Sequence, residues 1–320
     1  MDYTLKVFIS ARDRTHLTQK CIESLHEGCV IFNKIKIYLF DNLSNLTEDR
    51  SKIINEMIEK KLIHYYSYDT DESLSSCFGK VICFQRWIKM MQLQESIHSP
   101  ASKKCLRRNR NRIPPPEPVD NLYYMLVDND MVFRKGWDEY FISAADSAKP
   151  SVHFLVPWPG GCPGAEKRKM PNEIVQNKFG EQENINVIYD FMGGASGMWF
   201  MTPTMLPKLR WEDDDILAVY KRFKRHDSMT WRLINRNSKG DSGKSRISNR
   251  IMYVLRVKPP SMDNPFILHL GGVVGSFCNA LSKMKFSEQI RSDFEKHDED
   301  VKDMTATQLF DTYKDTGRIW

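Results

Sequence analysis

No stretch of this chain comes near the roughly 20 consecutive apolar residues that a membrane-spanning helix needs. The first residues, Met1-Asp2-Tyr3-Thr4-Leu5-Lys6, lack a basic stretch followed by an apolar one, so no signal peptide is expected. Its seven cysteines form no CxxC pair and show no zinc-ligand spacing, which excludes the common structural zinc modules. An odd cysteine count reads most simply as reduced thiols acting as small core residues. These absences together set the expectation of a soluble cytoplasmic protein, in the host cytoplasm if the source is viral. No internal repeat is visible either, which argues against a solenoid or a propeller.

What is present is ordinary for one globular unit. The 320 residues are 41% apolar and 11% aromatic, enough for a single α/β domain with long insertions and too much for wholesale disorder. The net charge of +6 is unevenly placed. Six basic side chains (Lys103, Lys104, Arg107, Arg108, Arg110, Arg112) and no acid lie between Lys103 and Arg112, while the stretch from about Ser287 to Asp315 leans acidic.

Hydrophobic patterning alternates between strand and helix. Leu5 to Ser10 is a short apolar run suited to a buried strand. Leu17, Cys21, Ile22 and Leu25 recur at helical spacing, and Gly28 is expected to stop that helix as a C-terminal cap. A second strand, Ile35 to Phe40, ends on Asp41-Asn42. A helix over about Glu48 to Lys60, a strand over Leu62 to Tyr68 and a helix over about Phe78 to Glu95 follow. The basic segment of about 96–121 carries Pro114-Pro115-Pro116 and Pro118 and reads as an exposed insertion. Regular structure resumes with the apolar strand Leu122 to Val127, then a helix over about Trp137 to Ala148 and a strand at Val152 to Pro157. The polar stretch from Gly160 to about Asn186 reads as a long loop. A glycine-rich turn, Met192 to Met201, enters another strand, and Ile251 to Val257 is one more. From about Ser282 the chain is helical and amphipathic. Alternation of this kind predicts a mainly parallel sheet covered on both faces. The expected division is a catalytic domain over 1–280 and a C-terminal helical segment over 281–320.

In an open parallel sheet, ligands bind beyond the carboxyl ends of the strands, where Asp41, Asp128 and Asp130 are expected. Two carboxylates two residues apart on a turn present hard oxygens to one point, which suits Mg²⁺ or Mn²⁺. Asp-x-Asp is also a common solvated turn; its place directly after a fully apolar strand favours the metal. His269 is either a ligand or a core histidine. Asp227 is either a general base or a helix N-cap, and the two are compatible. The Gly193-Gly194-Ala195-Ser196-Gly197 turn offers exposed amides and room for close approach, or is a bulge without a ligand. Arg12 and Arg14 follow the first strand and either face a diphosphate or lie on the surface.

Four blocks, in order, carry a family resemblance: Val7 to Arg14 with Cys21-Ile22-Glu23-Ser24-Leu25; Ile37 to Ser44; Tyr124 to Asp130; and Arg225 to Leu233. With Ile267-Leu268-His269-Leu270-Gly271-Gly272 they resemble nucleotide-sugar glycosyltransferases of the GT-A fold, especially inverting family 2. The resemblance implies a Rossmann-like, mainly parallel sheet flanked by helices. It implies a nucleotide site at Ser10, Arg12, Asp41, Asn129, Gly193 and Gly194, with Asp41 on the uracil or ribose. A Mn²⁺ or Mg²⁺ ion would be held by Asp128, Asp130 and His269, and Asp227 would be the base. The family's first acid of the fourth block is replaced here by His226.

The implied reaction moves a sugar from a nucleoside-diphosphate sugar, UDP-linked by resemblance, to an acceptor hydroxyl with inversion. The basic segment 103–112 leaves hydroxylated nucleic acid, such as modified viral DNA, among the acceptors, although no aromatic lies between Ser99 and Asp120 to stack on bases. The alternative for that segment is a solvated loop. Two other readings stay open: a nucleotidyltransferase, and a non-catalytic nucleic-acid-binding protein with a vestigial glycosyltransferase domain.

Overall fold

The computed structural model describes residues 2–42, 44–69, 77–98, 118–148, 152–157, 173–176, 182–185, 187–190, 197–209, 253–257, 265–270, 288–313 and 318–319. The first strands and helices run β1 (Thr4–Ala11), α1 (Thr15–Gly28), β2 (Lys34–Asn42), α2 (Glu48–Glu59), β3 (Tyr65–Asp69) and α3 (Cys77–His98). The middle of the chain gives β4 (Leu122–Asp128), β5 (Met131–Phe133), α4 (Trp137–Ser147), β6 (Val152–Pro157), β7 (Glu173–Gln176), β8 (Gln182–Ile185), β9 (Val187–Asp190) and β10 (Met198–Met201). Last come β11 (Tyr253–Val257), β12 (Ile267–His269), α5 (Glu288–Val301), α6 (Ala306–Tyr313) and β13 (Arg318–Ile319).

The main sheet has the order β3-β2-β1-β4-β10-β6-β11-β9. The strands β3, β2, β1, β4, β6 and β11 run parallel, and β10 and β9 run against them. This is the mainly parallel sheet flanked by helices that the sequence predicts. β1 shows why its sequence is almost continuously apolar: both of its faces are covered. Leu5, Val7, Ile9 and Ala11 point into a core shared with Cys21, Ile22 and Leu25 of α1, Ile54 and Met57 of α2, and Trp137 and Phe141 of α4. Phe8 points the other way, into a second core with Phe84, Trp87, Ile88 and Met91 of α3.

The structure adds to three sequence expectations. α1 ends at Gly28 as expected, but Cys29 is the cap and Gly28 serves close packing: a Cβ there would come within 3.0 Å of the Arg134 carbonyl oxygen and of Trp137 Cδ1. The region read as a long loop contains the antiparallel pair β7–β8, whose short polar strands carry little hydrophobic signal. The C-terminal helices pack closely on the rest of the chain. Val301 of α5 and Leu309 and Phe310 of α6 bury a third core against Leu17 of α1, Val132 of β5, and Leu268 and Leu270. β13 completes a small antiparallel sheet, β13-β12-β5, with Leu268 opposite Ile319 and His269 opposite Arg318. No helix among the described residues is long and apolar enough to cross a membrane. Most of the basic insertion, residues 99–117, lies outside the described residues.

Candidate metal centre

Strand register decides which side chains meet. In the parallel rows β4-β1-β2-β3, Ser10 sits opposite Asp128, Ala11 opposite Asp41, and Asn42 opposite Asp69. The carboxyl ends of four adjacent strands therefore finish on one level, with polar residues at the rim of an otherwise apolar sheet.

Asp128 ends β4, and the chain turns through Asn129 and Asp130 into β5. β12 pairs with β5 so that His269 lies opposite Met131, and the Leu270 amide donates to the Asp130 carbonyl at 3.0 Å. This pairing carries His269, about 140 residues downstream, to the turn. One ligand atom each from Asp128, Asp130 and His269 falls within 4.8 Å of the others. His269 Nε2 is 3.2 Å from Asp130 Oδ1. That oxygen is buried with the imidazole as its neighbour, and a buried carboxylate oxygen is costly unless a cation or donor completes it. Two carboxylates and one imidazole are a donor set that fits Mn²⁺ or Mg²⁺, so the residues present fit the ion that the resemblance implies.

The other Asp130 oxygen is already fastened. Arg14 Nη1 donates to Asp130 Oδ2 at 2.9 Å, and Nη2 donates to Asn129 Oδ1 at 2.9 Å. Asn129 Nδ2 in turn donates to Thr18 Oγ1, whose hydroxyl donates to the Arg14 carbonyl at 2.8 Å. Burial alone would raise the Asp130 pKa, but His269 and Arg14 outweigh it and hold the carboxyl far below its usual range. Beneath the turn, the Cys21 thiol donates to the Asp128 carbonyl at 3.6 Å. Burial, and then the charge of Asp130, push that thiol well above its ordinary pKa, so it is a packing residue and not a nucleophile.

Gly197 closes the site from the antiparallel strand. Its carbonyl accepts from the Asp128 amide at 2.6 Å. A Cβ at this position would lie 2.8 Å from Met131 Sδ and 3.2 Å from both Asp128 Oδ2 and His269 Nε2. Sequence reading placed Gly197 in a glycine-rich turn; only the fold shows that its missing side chain makes room between Asp128 and His269, two of the three candidate ligands.

Arg14 belongs to a strained loop. Asp13 and Arg14 both have positive φ, 51° and 50°, a conformation disfavoured for a long side chain. The loop is laced to its neighbour: the Asp13 amide donates to Ser44 Oγ at 2.7 Å, and the Asn45 amide donates to Asp13 Oδ1 at 2.8 Å.

The structure gives several predicted residues a different task. Asp41 is fully buried and spent on protein partners. Its Oδ2 accepts from Arg50 Nη2 at 2.5 Å, Arg50 Nε at 3.1 Å and the Tyr66 hydroxyl at 3.2 Å, and its Oδ1 accepts from the Ser44 amide at 3.3 Å. Alternation along β2 turns Asp41 into the α2 side of the sheet. Asn129 is likewise buried and fastens the turn. Ser10 and Arg12 are half-buried at the sheet rim. Gly193, Gly194, His226 and Asp227 lie outside the described residues. Sequence reasoning missed Thr18, Arg50 and Asp298, whose parts depend on tertiary neighbours.

No family model matches the chain, and no curated protein matches it. Among solved structures the chain is similar to S. aureus TarS 1–349 in complex with UDP-GlcNAc, at 11% identity and a TM-score of 0.40 over 98% of this chain and 76% of that one. It is similar to the glycosyltransferase GlyE of Streptococcus pneumoniae TIGR4, at 9% identity and a TM-score of 0.38 over 98% of this chain and 63% of that one. It is also similar to the mannosyltransferase PcManGT from Pyrobaculum calidifontis, in complex with GDP-Man and Mn²⁺, at 12% identity and a TM-score of 0.28 over 49% of this chain. The chain spans 36% of that mannosyltransferase and 56% of a TarS chain.

Proposed function

We propose that this chain is a metal-dependent glycosyltransferase that moves a sugar from a nucleoside-diphosphate sugar to an acceptor hydroxyl. The observation that carries the reading is the Asp128–Asp130–His269 cluster at the carboxyl end of β4, half-buried at Asp128 and buried at the other two, with one donor atom of each within 4.8 Å of the others. A divalent ion bound there supplies charge neutralisation for a departing diphosphate. The protein's own part is to hold the ligands rigid. Asp130 is oriented by Arg14, Asp128 by its strand and by Gly197, and His269 by pairing of β12 with β5.

The finer assignments rest on the sequence. Asp227 is the base that takes the proton from the acceptor hydroxyl, inversion follows from direct attack, and the donor is UDP-linked. The basic segment 103–112 is the feature that favours hydroxylated nucleic acid as acceptor.

Thermal unfolding against nucleoside diphosphates and their sugars, with and without Mn²⁺, tests the proposal. A ligand at about a hundred times its Kd adds roughly 2.7 kcal/mol of stability. We expect a Mn²⁺-dependent rise in Tm with one nucleoside diphosphate and its sugar, lost in Asp130→Ala. Turnover must then release the nucleoside diphosphate; release of pyrophosphate would identify a nucleotidyltransferase instead. Absence of any shift, together with salt-sensitive binding to DNA or RNA, would overturn the enzymatic reading.

A further inference from the structure

The metal turn is clamped by Arg14, and Arg14 depends on something outside its own loop. It is the residue immediately before α1, in left-handed backbone (φ 50°, ψ 57°), and its side chain makes no capping hydrogen bond to the helix. A helix start needs partners for its first amides. Here they come from the far end of the chain. Asp298 of α5 accepts from the His16 amide through Oδ2 and from the Leu17 amide through Oδ1, both at 2.9 Å. The carboxylate is buried, and it meets the positive end of the α1 dipole as well as the two amides.

We propose that Asp298 is a positioning residue for the metal centre: it caps α1 in place of a local residue and so holds Arg14 in the strained conformation that fixes Asp130. This rests on the metal reading of Asp128, Asp130 and His269 given above. The path is continuous in hydrogen bonds from Asp298 to the first turn of α1, and from Arg14 to Asp130 Oδ2 and Asn129 Oδ1. With Oδ2 fixed, Oδ1 faces His269 Nε2. Without the remote cap, two amides of the first turn of α1 lose their acceptor, Arg14 relaxes more readily out of its left-handed conformation, and the carboxylate is held less firmly. The C-terminal helix thereby becomes part of the metal site although it contributes no ligand.

The test is direct Mn²⁺ binding to the full chain, read by the loss of the free-ion EPR signal, with Tm measured in parallel. Loss of an outer partner of a metal ligand weakens affinity by about 10–100-fold, and Asp298→Ala is expected in that range. Asp298→Asn keeps one acceptor for the amides and is expected to recover much of the affinity; it also serves if the alanine variant does not fold. Leu309→Ala is the structural control, since it loosens the same C-terminal packing without touching the cap. On an Arg14→Ala background, Asp298→Ala should change Mn²⁺ affinity no further. The inference falls if Asp298→Ala binds Mn²⁺ like the wild type. It falls equally if Leu309→Ala at a matched loss of Tm weakens binding as much, or if the Asp298 effect persists without Arg14. Failure of the wild-type chain to bind Mn²⁺ at all would instead refute the metal reading itself.

Discussion

Asp130 shows how one carboxylate divides its duties. Oδ2 is held by a guanidinium that is itself almost buried, and Oδ1 is left facing an imidazole. Gly197 matters at the same scale for what it lacks. Its neighbours at 2.8–3.2 Å are a methionine sulfur and two ligand atoms, so a methyl group there must push Asp128 and His269 apart. Gly197→Ala is expected to stay folded at a cost of about 1–3 kcal/mol, the usual range for overpacking. Its Mn²⁺ affinity should fall at least about 10-fold. Calorimetric titration of the variant checks this, and unchanged affinity would show that the ligands have room to spare.

At the scale of elements, the loops at the carboxyl ends of β1 and β2 are tied together by one buried arginine. Arg50 of α2 pairs with Asp41 at the end of β2 and donates to Thr15 Oγ1 at 2.6 Å and to the Asp13 carbonyl at 3.4 Å. Thr47 caps α2, accepting from the Arg50 amide at 3.2 Å. The pair is almost wholly shielded, with side-chain exposures of 2% and 0%. Breaking such a pair from one side leaves a charge without compensation and costs about 3–5 kcal/mol. Asp41→Ala should lose stability of that order in urea unfolding. Because Arg50 also steadies the Asp13 carbonyl, the variant should bind nucleotide more weakly through disorder of the loop. A variant of wild-type stability would mean that Arg50 finds other acceptors.

Across the whole molecule, stability should depend on pH through two neighbouring histidines. Burial lowers the pKa of His26, at the end of α1, and of His64, before β3; the positive charges of His26 and Lys36 lower His64 further. The Ile37 amide donates to His64 Nδ1 at 3.3 Å, which only a neutral ring accepts at that nitrogen. A histidine with a lowered folded-state pKa contributes stability that is complete above its unfolded value of about 6.5. That contribution is lost as the pH falls from there through the folded value. Tm should therefore drop as the pH falls below about 6.5, and His64→Gln should flatten that slope while lowering Tm at neutral pH. An unchanged slope in His26→Gln/His64→Gln would assign the acid sensitivity to other groups.

Much of this was legible in the chain itself. Apolar runs such as Leu122 to Val127 point to a strand covered on both faces, because they are short, rich in β-formers and bounded by a turn. Asp128, Asp130 and His269 were readable as candidate ligands because few residue types offer hard donors. Gly28 and Gly197 were visible only as glycines; which neighbour each admits is set by strands and turns distant in sequence. Asp41 and Asp128 look alike as acids at strand ends. Side-chain alternation and the reach of Arg50 bury one among protein partners, while register leaves the other at the rim. Asp298 carried no local signal, since capping α1 requires a helix packed against it from more than 280 residues away. Local chemistry and periodicity thus determined the strands, the helices and the list of candidate ligands. Packing decided which acids remain available to a metal, because availability depends on the partners that the fold brings within hydrogen-bonding distance.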